Sequence, residues 1–240
     1  MNESMQNNVA VECKNLRKTF GQGEAMVQAL RGVDLQVRTG ELMMLVGPSG
    51  CGKTTLISII AGILEQSEGN CVIFGQDFRD VNASEKTRYR GENIGFVFQA
   101  YNLIPTLSSA ENVSVPLVIR GENRRKATDR ARDVLRQVGF NDRMMGAMPK
   151  ELSGGQQQRV AIARAIVHQP KLIVCDEPTA ALDHETGQSV MKLLRNVALQ
   201  DGRALIVVTH DARIYSYADR IARMNDGHVE QIVNSAAELN

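Results

Sequence analysis

Gly47-Pro48-Ser49-Gly50-Cys51-Gly52-Lys53-Thr54 is the stretch that decides this fold. It fits the pattern GxxxxGK[ST], which has a physical meaning. The glycines let the backbone curl until successive N–H groups point inward, making a nest for an anion. A helix opening near Lys53 adds the partial positive charge of its N-terminus. Lys53 then reaches the β- and γ-phosphates of a nucleotide, and the Thr54 hydroxyl, followed by Thr55, is placed to ligate Mg²⁺. The competing reading is a chance glycine-rich turn. Such a turn would not need the apolar run Glu41–Val46 before it and the apolar run Lys53–Leu64 after it, which read as a strand and a helix.

Working outward, Val9–Phe20 and Val27–Val37 alternate apolar and polar residues as half-buried strands do, with a turn at Gly21-Gln22-Gly23-Glu24. Cys71–Phe74 and Ile94–Phe98 read as further short strands. From about Tyr101 to Gln169 the pattern is helical. Asn123–Val138 has helical apolar spacing, with Arg124, Arg125, Arg130, Arg132 and Arg136 on its other faces, which read as a solvated surface. After Pro170 strands and helices alternate again: strands Leu172–Cys175 and Ala204–Thr209 flank a helix over His184–Leu199. Ile221–Met224 and His228–Val233 close the chain as a strand pair around Asp226-Gly227. That order predicts a parallel-sheet core, an antiparallel β layer and a smaller helical lobe.

The totals bound the function. The 240 residues are 43% apolar but only 4% aromatic, so the core is aliphatic. Lys and Arg number 28 against 27 Asp and Glu, which gives no bulk charge for nucleic acid or an anionic membrane. Cys13, Cys51, Cys71 and Cys175 fit no zinc or CxxC spacing and point to a reducing compartment. Leu42–Leu64 is long enough to span a bilayer, but Gly47, Pro48, Gly50 and Gly52 interrupt it with loop backbone that lipid cannot satisfy. MNESMQNNVA has no secretory character, so a cytosolic location is expected.

A second acidic motif follows. Leu172-Ile173-Val174-Cys175-Asp176-Glu177 is an apolar strand ending in two carboxylates. An acid at the end of such a strand, facing a phosphate loop, is placed to hold Mg²⁺, which is the role expected of Asp176. Glu177 then points toward an attacking water and is the candidate general base.

Leu152-Ser153-Gly154-Gly155-Gln156 stands twenty residues before Asp176. With the two motifs above, it makes the chain resemble the ATP-binding subunit of ABC transporters. Ser153 can bond a γ-phosphate oxygen, Gly154 and Gly155 leave their N–H groups unobstructed, and the helix after them offers a second anion-binding terminus. The resemblance implies further roles: Gln99 as the Q-loop ligand of Mg²⁺ and water, Asp183 as the D-loop acid, His210 as the switch histidine at the γ-phosphate, and Phe20 as the aromatic that stacks on adenine. Cys51 departs from the serine common in the loop. The backbone binds phosphate there, so activity is expected to survive, with a thiol open to alkylation or oxidation.

The implied fold is that of a P-loop NTPase of the ABC ATPase type. Residues 9–98 and 170–233 would form the RecA-like core with its antiparallel β subdomain, about 101–169 the helical subdomain, and 1–8 and 234–240 tails. In this family two subunits pair head to tail, so that Ser153, Gly154, Gly155, Gln156 and Asp183 serve the ATP held by the other copy. Phe96–Leu107, Glu111-Asn112-Val113, Pro116-Leu117, Ala29–Val33 and Val207–Asp211 resemble the MacB/LolD/FtsE-type branch, with DevA-like export ATPases close. This implies an ATPase on the cytoplasmic face of the inner membrane, bound there only through an FtsX- or MacB-like permease. A soluble ABC ATPase of repair, cluster assembly or translation is the alternative. The single cassette, without coiled-coil or zinc insertions, disfavours it.

Overall fold

The computed structural model describes residues 8–198 and 202–239. Residues 1–7 of the expected N-terminal tail, Leu199 of the expected helix, and Asn240 lie outside the described residues. Asn8, the last residue of that expected tail, is tied to the body: its carbonyl accepts the Thr39 N–H at 2.9 Å.

Two sheets carry the described chain. In the first, β1 (Val9–Phe20), β2 (Val27–Arg38), β4 (Glu68–Ile73) and the short β5 (Gln76–Asp77) are antiparallel in the order β2-β1-β4-β5. The second holds six strands: β3 (Leu42–Val46), β6 (Ile94–Val97), β7 (Leu172–Asp176), β8 (Ala204–Val208), β9 (Arg220–Asn225) and β10 (His228–Val233). Their order is β10-β9-β3-β8-β7-β6, parallel from β9 to β6, with β10 antiparallel at the edge. Every residue of β3 and β8 is buried, as expected for parallel strands covered on both faces.

Helices cover these sheets. α1 (Lys53–Ile60) follows β3, and α2 (Ala83–Asn93) precedes β6. Between β6 and β7 come α3 (Ser109–Ile119), α4 (Arg124–Gln137), α5 (Asp142–Gly146) and α6 (Gly154–Ile166), and α7 (His184–Ala198) joins β7 to β8. α1 stops four residues short of the expected Leu64. Gly62 takes a left-handed φ of +65° and its N–H reaches back to Ile59, a turn that ends a helix. α2 is absent from the sequence reading. None of its residues is buried, so it has no apolar stripe to reveal it.

Three apolar clusters fill the interior. One joins the two sheets through Leu16, Leu30, Leu56 and Ile60. A second lies on the other face of the parallel sheet, around Ile162, Ile173, Met191 and Leu205. A third is built within residues 110–167 from α3, α4 and α6. Helix α6 has a side in each of the last two, with Ile162 and Ile166 facing the sheet and Val160 and Ala163 facing α3 and α4. Gly95 makes its approach possible, because a Cβ there would stand 2.1 Å from the Ala165 carbonyl oxygen. At the C-terminal end, Ala236–Glu238 forms a turn of 3₁₀ helix and Leu239 packs on the second cluster, so 234–239 folds back on the body.

Candidate active site

The C-terminal ends of β3, β7 and β8 meet in the middle of the parallel sheet, the edge where open α/β folds bind ligands. The glycine-rich loop leaves β3 there. Its conformation depends on two close approaches. A Cβ on Gly47 (φ +144°) would lie 2.1 Å from the Met224 carbonyl oxygen, and one on Gly52 (φ +100°) 2.5 Å from that of Ala29. Only glycine allows the loop to lie this tightly against β9 and β2. Gly52 caps α1 without a side-chain bond, and the first turn holds no acidic residue. The N–H groups of that turn are left for an outside acceptor. Pro48, Ser49 and Gly50 are exposed beside them.

Lys53 is buried, and its Nζ donates to the carbonyls of Gly47 at 2.9 Å and Pro48 at 2.7 Å. The cation therefore sits at the mouth of the loop, where a phosphate oxygen can replace a neutral carbonyl as its acceptor. Cys51 departs from the expectation of an open thiol. It is 5% exposed, turned inward with its Sγ 3.6 Å from Lys53 Nζ, which shields it from reagents.

The Thr54 hydroxyl donates to Asp176 Oδ1 at 3.4 Å. Burial at the end of β7 holds the Asp176 carboxyl above the usual carboxylate range. The neighbouring Glu177 charge adds to this, while the Thr54 bond and Lys53 oppose it. A cation at this spot would favour the ionised form. Among the described residues no three His, Cys, Asp or Glu side chains gather as a metal cage. One hydroxyl and one carboxylate suit Mg²⁺, which keeps waters and takes phosphate oxygens as its other ligands.

Glu177 leaves the strand in a left-handed conformation, φ +49°, with its N–H on the Val208 carbonyl at 3.0 Å. That turn aims its carboxylate at the end of β8, where Oε1 lies 2.8 Å from Nδ1 of His210. The histidine side chain is 64% exposed and the glutamate 13%, so the pair opens to solvent on the histidine side.

The structure thus brings together Lys53, Thr54, Asp176, Glu177 and His210. Gln99 is exposed two residues past β6, the strand beside β7. Phe20 ends β1 with a ring 42% exposed under the Lys18 ammonium, not packed in the core as a strand-end aromatic would be. Ser153 and Asp183 make hydrogen bonds of their own, none of them to those five side chains. Ser153 Oγ accepts the Gln156 N–H at 3.3 Å and Gln156 Oε1 accepts the Ser153 N–H at 2.8 Å, a capping box at the start of α6. Asp183 accepts both the N–H and the hydroxyl of Thr186. A Cβ on Gly155 would meet Thr186 Cγ2 at 2.4 Å, so the two turns abut.

Sequence reasoning missed Thr186, Tyr101 and Arg164. The Asp183-x-x-Thr186 spacing at a helix start was a signal for the first. The other two depend on tertiary contacts.

Residues 30–180 match the ABC transporter family. Over 227 residues the chain is 42% identical to the uncharacterized ABC transporter ATP-binding protein MJ0796 of Methanocaldococcus jannaschii, covering 92% of this chain and 95% of that one. It is 39% identical to the lipoprotein-releasing system ATP-binding protein LolD of Shewanella sp. MR-7, covering 95% and 98%. Among solved structures, the dimeric post-hydrolysis state of the MJ0796 cassette bound to ADP and Pi superposes with a TM-score of 0.86 at 40% identity, over 93% of this chain and 98% of that one.

Proposed function

Because the chain belongs to the ABC transporter family, as an ATP-binding and ATP-hydrolysing subunit, we propose that two copies close head to tail on two ATP molecules and drive a separate FtsX- or MacB-like permease. One observation carries this reading. Lys53, Thr54, Asp176, Glu177 and His210 make a phosphate-and-water site, while the other helix start suited to an anion, Ser153–Gln156, is bonded to itself and makes no hydrogen bond to those five side chains among the described residues. A second copy turned end for end supplies what each site lacks.

In this mechanism the Phe20 ring stacks on adenine and the backbone N–H groups between Gly47 and Thr55, all but that of Pro48, which has none, hold the phosphates. Lys53 moves its donors from the two carbonyls to phosphate oxygens. Thr54, Asp176 and Gln99 would hold Mg²⁺, which would supply neutralisation of the phosphate charge. Glu177 accepts a proton from the attacking water, with His210 orienting its carboxylate and reaching the γ-phosphate. Ser153, Gly154, Gly155, Gln156 and Asp183 of the second copy close the far side and stabilise the transferring charge. Hydrolysis replaces one bridging γ-phosphate with two separate anions and lets the dimer open.

The helical lobe of about residues 101–169, next to Gln99, passes that motion to the permease for export, lipoprotein extraction or mechanical work. LolD, the lipoprotein-releasing relative, supports this assignment. No helix among the described residues is long and apolar enough to cross a membrane, which accords with attachment through the permease at the cytoplasmic face. Neither nucleic acid nor lipid is a direct partner in this reading. The test is the size of Glu177→Gln protein with and without ATP. A dimer at saturating ATP is expected, and a monomer would count against the reading.

A further inference from the structure

Tyr101 and Asn102 both adopt left-handed backbone conformations, φ +57° and +49°. Two consecutive non-glycine residues in that region need outside support. Arg164, on α6, provides it. Its NH2 group donates to the Tyr101 carbonyl at 2.7 Å and its NH1 group to the Asn102 carbonyl at 2.6 Å. Among the described residues Arg164 pairs with no carboxylate, so its whole fork serves this one piece of backbone. The planar guanidinium suits two adjacent carbonyls in a way that a lysine ammonium does not.

The same segment touches α6 at its other end. The Tyr101 hydroxyl is so near Gly154 that a Cβ there would lie 3.2 Å from it. Gly154 and Arg164 are ten residues apart, about 15 Å along a helix. The chain after Gln99 is therefore braced on α6 at both the Ser153–Gln156 turn and the third helical turn. Just beyond, Asn112 of α3, fully buried, accepts the Ile104 N–H at 2.7 Å and donates to the carbonyls of Ile104 and Leu107. This fixes the rest of the loop to the helical lobe.

We propose that Arg164 and Tyr101 are positioning residues that tie the Gln99 loop to the Ser153–Gln156 turn of the same chain. The inference rests on the head-to-tail reading above. In such a dimer, Gln99 belongs to one ATP site and Ser153 of the same copy to the other. The brace makes them move as one piece, so nucleotide at one site presents the Ser153–Gln156 turn correctly at the second. Breaking it weakens dimer closure and leaves the first binding of ATP to a single chain unchanged.

The experiment uses the full chain with Glu177→Gln as the parent. Two further variants are made in it: Arg164→Lys, which keeps the charge and loses the fork, and Tyr101→Leu, which shortens the side chain at Gly154 and leaves the Arg164 bonds possible. Dimer formation is followed by light scattering across an ATP titration. One-site affinity is read from a fluorescent ATP analogue on protein dilute enough to stay monomeric. A thermal melt checks folding of each variant, and Tyr101→Leu carries the test if Arg164→Lys does not fold. The ATP concentration at half-dimerisation is expected to rise fivefold or more, with one-site affinity within twofold of the parent. An unchanged midpoint, or a midpoint and a one-site affinity that move by the same factor, overturns the brace. A parent that stays monomeric at saturating ATP overturns the dimer reading itself, and the brace with it.

Discussion

His210 Nδ1 lies 2.8 Å from Glu177 Oε1, across the ends of two adjacent parallel strands. The contact holds the carboxylate in one orientation, and the Glu177 N–H on the Val208 carbonyl ties the same two strand ends through the backbone. A base held this way contributes about 10²–10⁴-fold to a proton-transfer step. Glu177→Gln is therefore expected to cut ATP turnover by at least about 10²-fold while ATP stays bound. His210→Ala should cost about as much. Steady-state phosphate release measures both, and wild-type turnover in Glu177→Gln would remove this residue as the base.

Thr54 and Lys53 should separate metal from phosphate binding. Thr54→Val removes the hydroxyl that reaches Asp176 and keeps the side-chain shape. The Mg²⁺ concentration for half-maximal ATPase activity should rise about tenfold or more, the loss of one bond to a charged group. Lys53→Ala should abolish ATP binding at any Mg²⁺ concentration. Titrations of rate against Mg²⁺ and of binding against ATP distinguish the two.

Gly155 offers a test of packing between α6 and α7. Gly155→Ala places a methyl 2.4 Å from Thr186 Cγ2, and Asp183 holds that threonine in place. Overpacking of this kind costs about 1–3 kcal/mol. Thr186→Ser deletes only the offending methyl and keeps the hydroxyl bond to Asp183. The double variant should recover most of the lost stability in denaturant unfolding, and no recovery would place the strain elsewhere.

How much of this could be read in the sequence depends on which force shapes each part. β3, α1 and the loop between them were legible because one continuous pattern specifies strand, nest and helix. The capping boxes Asn82/Glu85 and Ser108/Glu111 sit in plain view and mark the starts of α2 and α3. Yet α2 escapes a reading based on apolar periodicity, because it buries nothing. The meeting of Glu177 with His210, 33 residues later, follows from β7 lying beside β8, which no local pattern states. Cys51 failed as an exposed thiol because its side chain packs in the cluster between the two sheets and its carbonyl accepts the Gly227 N–H, contacts made across the fold.

His168 predicts an acid sensitivity. It is 8% exposed, its Nε2 donates to the Ile94 carbonyl at 3.2 Å, and its Nδ1 has no hydrogen-bond partner among the described residues. Burial pushes its pKa down from 6.5 to about 4, with the nearby charges of Arg120, Arg130 and Arg203 acting the same way. The unfolded chain thus binds a proton that the folded one refuses between those values. Stability should fall as pH drops from about 6.5 toward 4, by about 3 kcal/mol from this residue. His168→Gln should flatten melting temperature against pH in that window, and an unchanged slope would exclude His168 as the cause.

The left-handed backbone of Glu177 bears on how this protein can be engineered. At φ +49° a glycine or asparagine would sit more easily, by about 1 kcal/mol for glycine. With Glu177 as the proposed base, a library screened only for survival on heating would drift toward those residues at position 177 and return well-folded, inert proteins. Only a screen that demands turnover keeps the carboxylate. The backbone angle at one residue therefore records a conflict between durability and chemistry, resolved here in favour of chemistry.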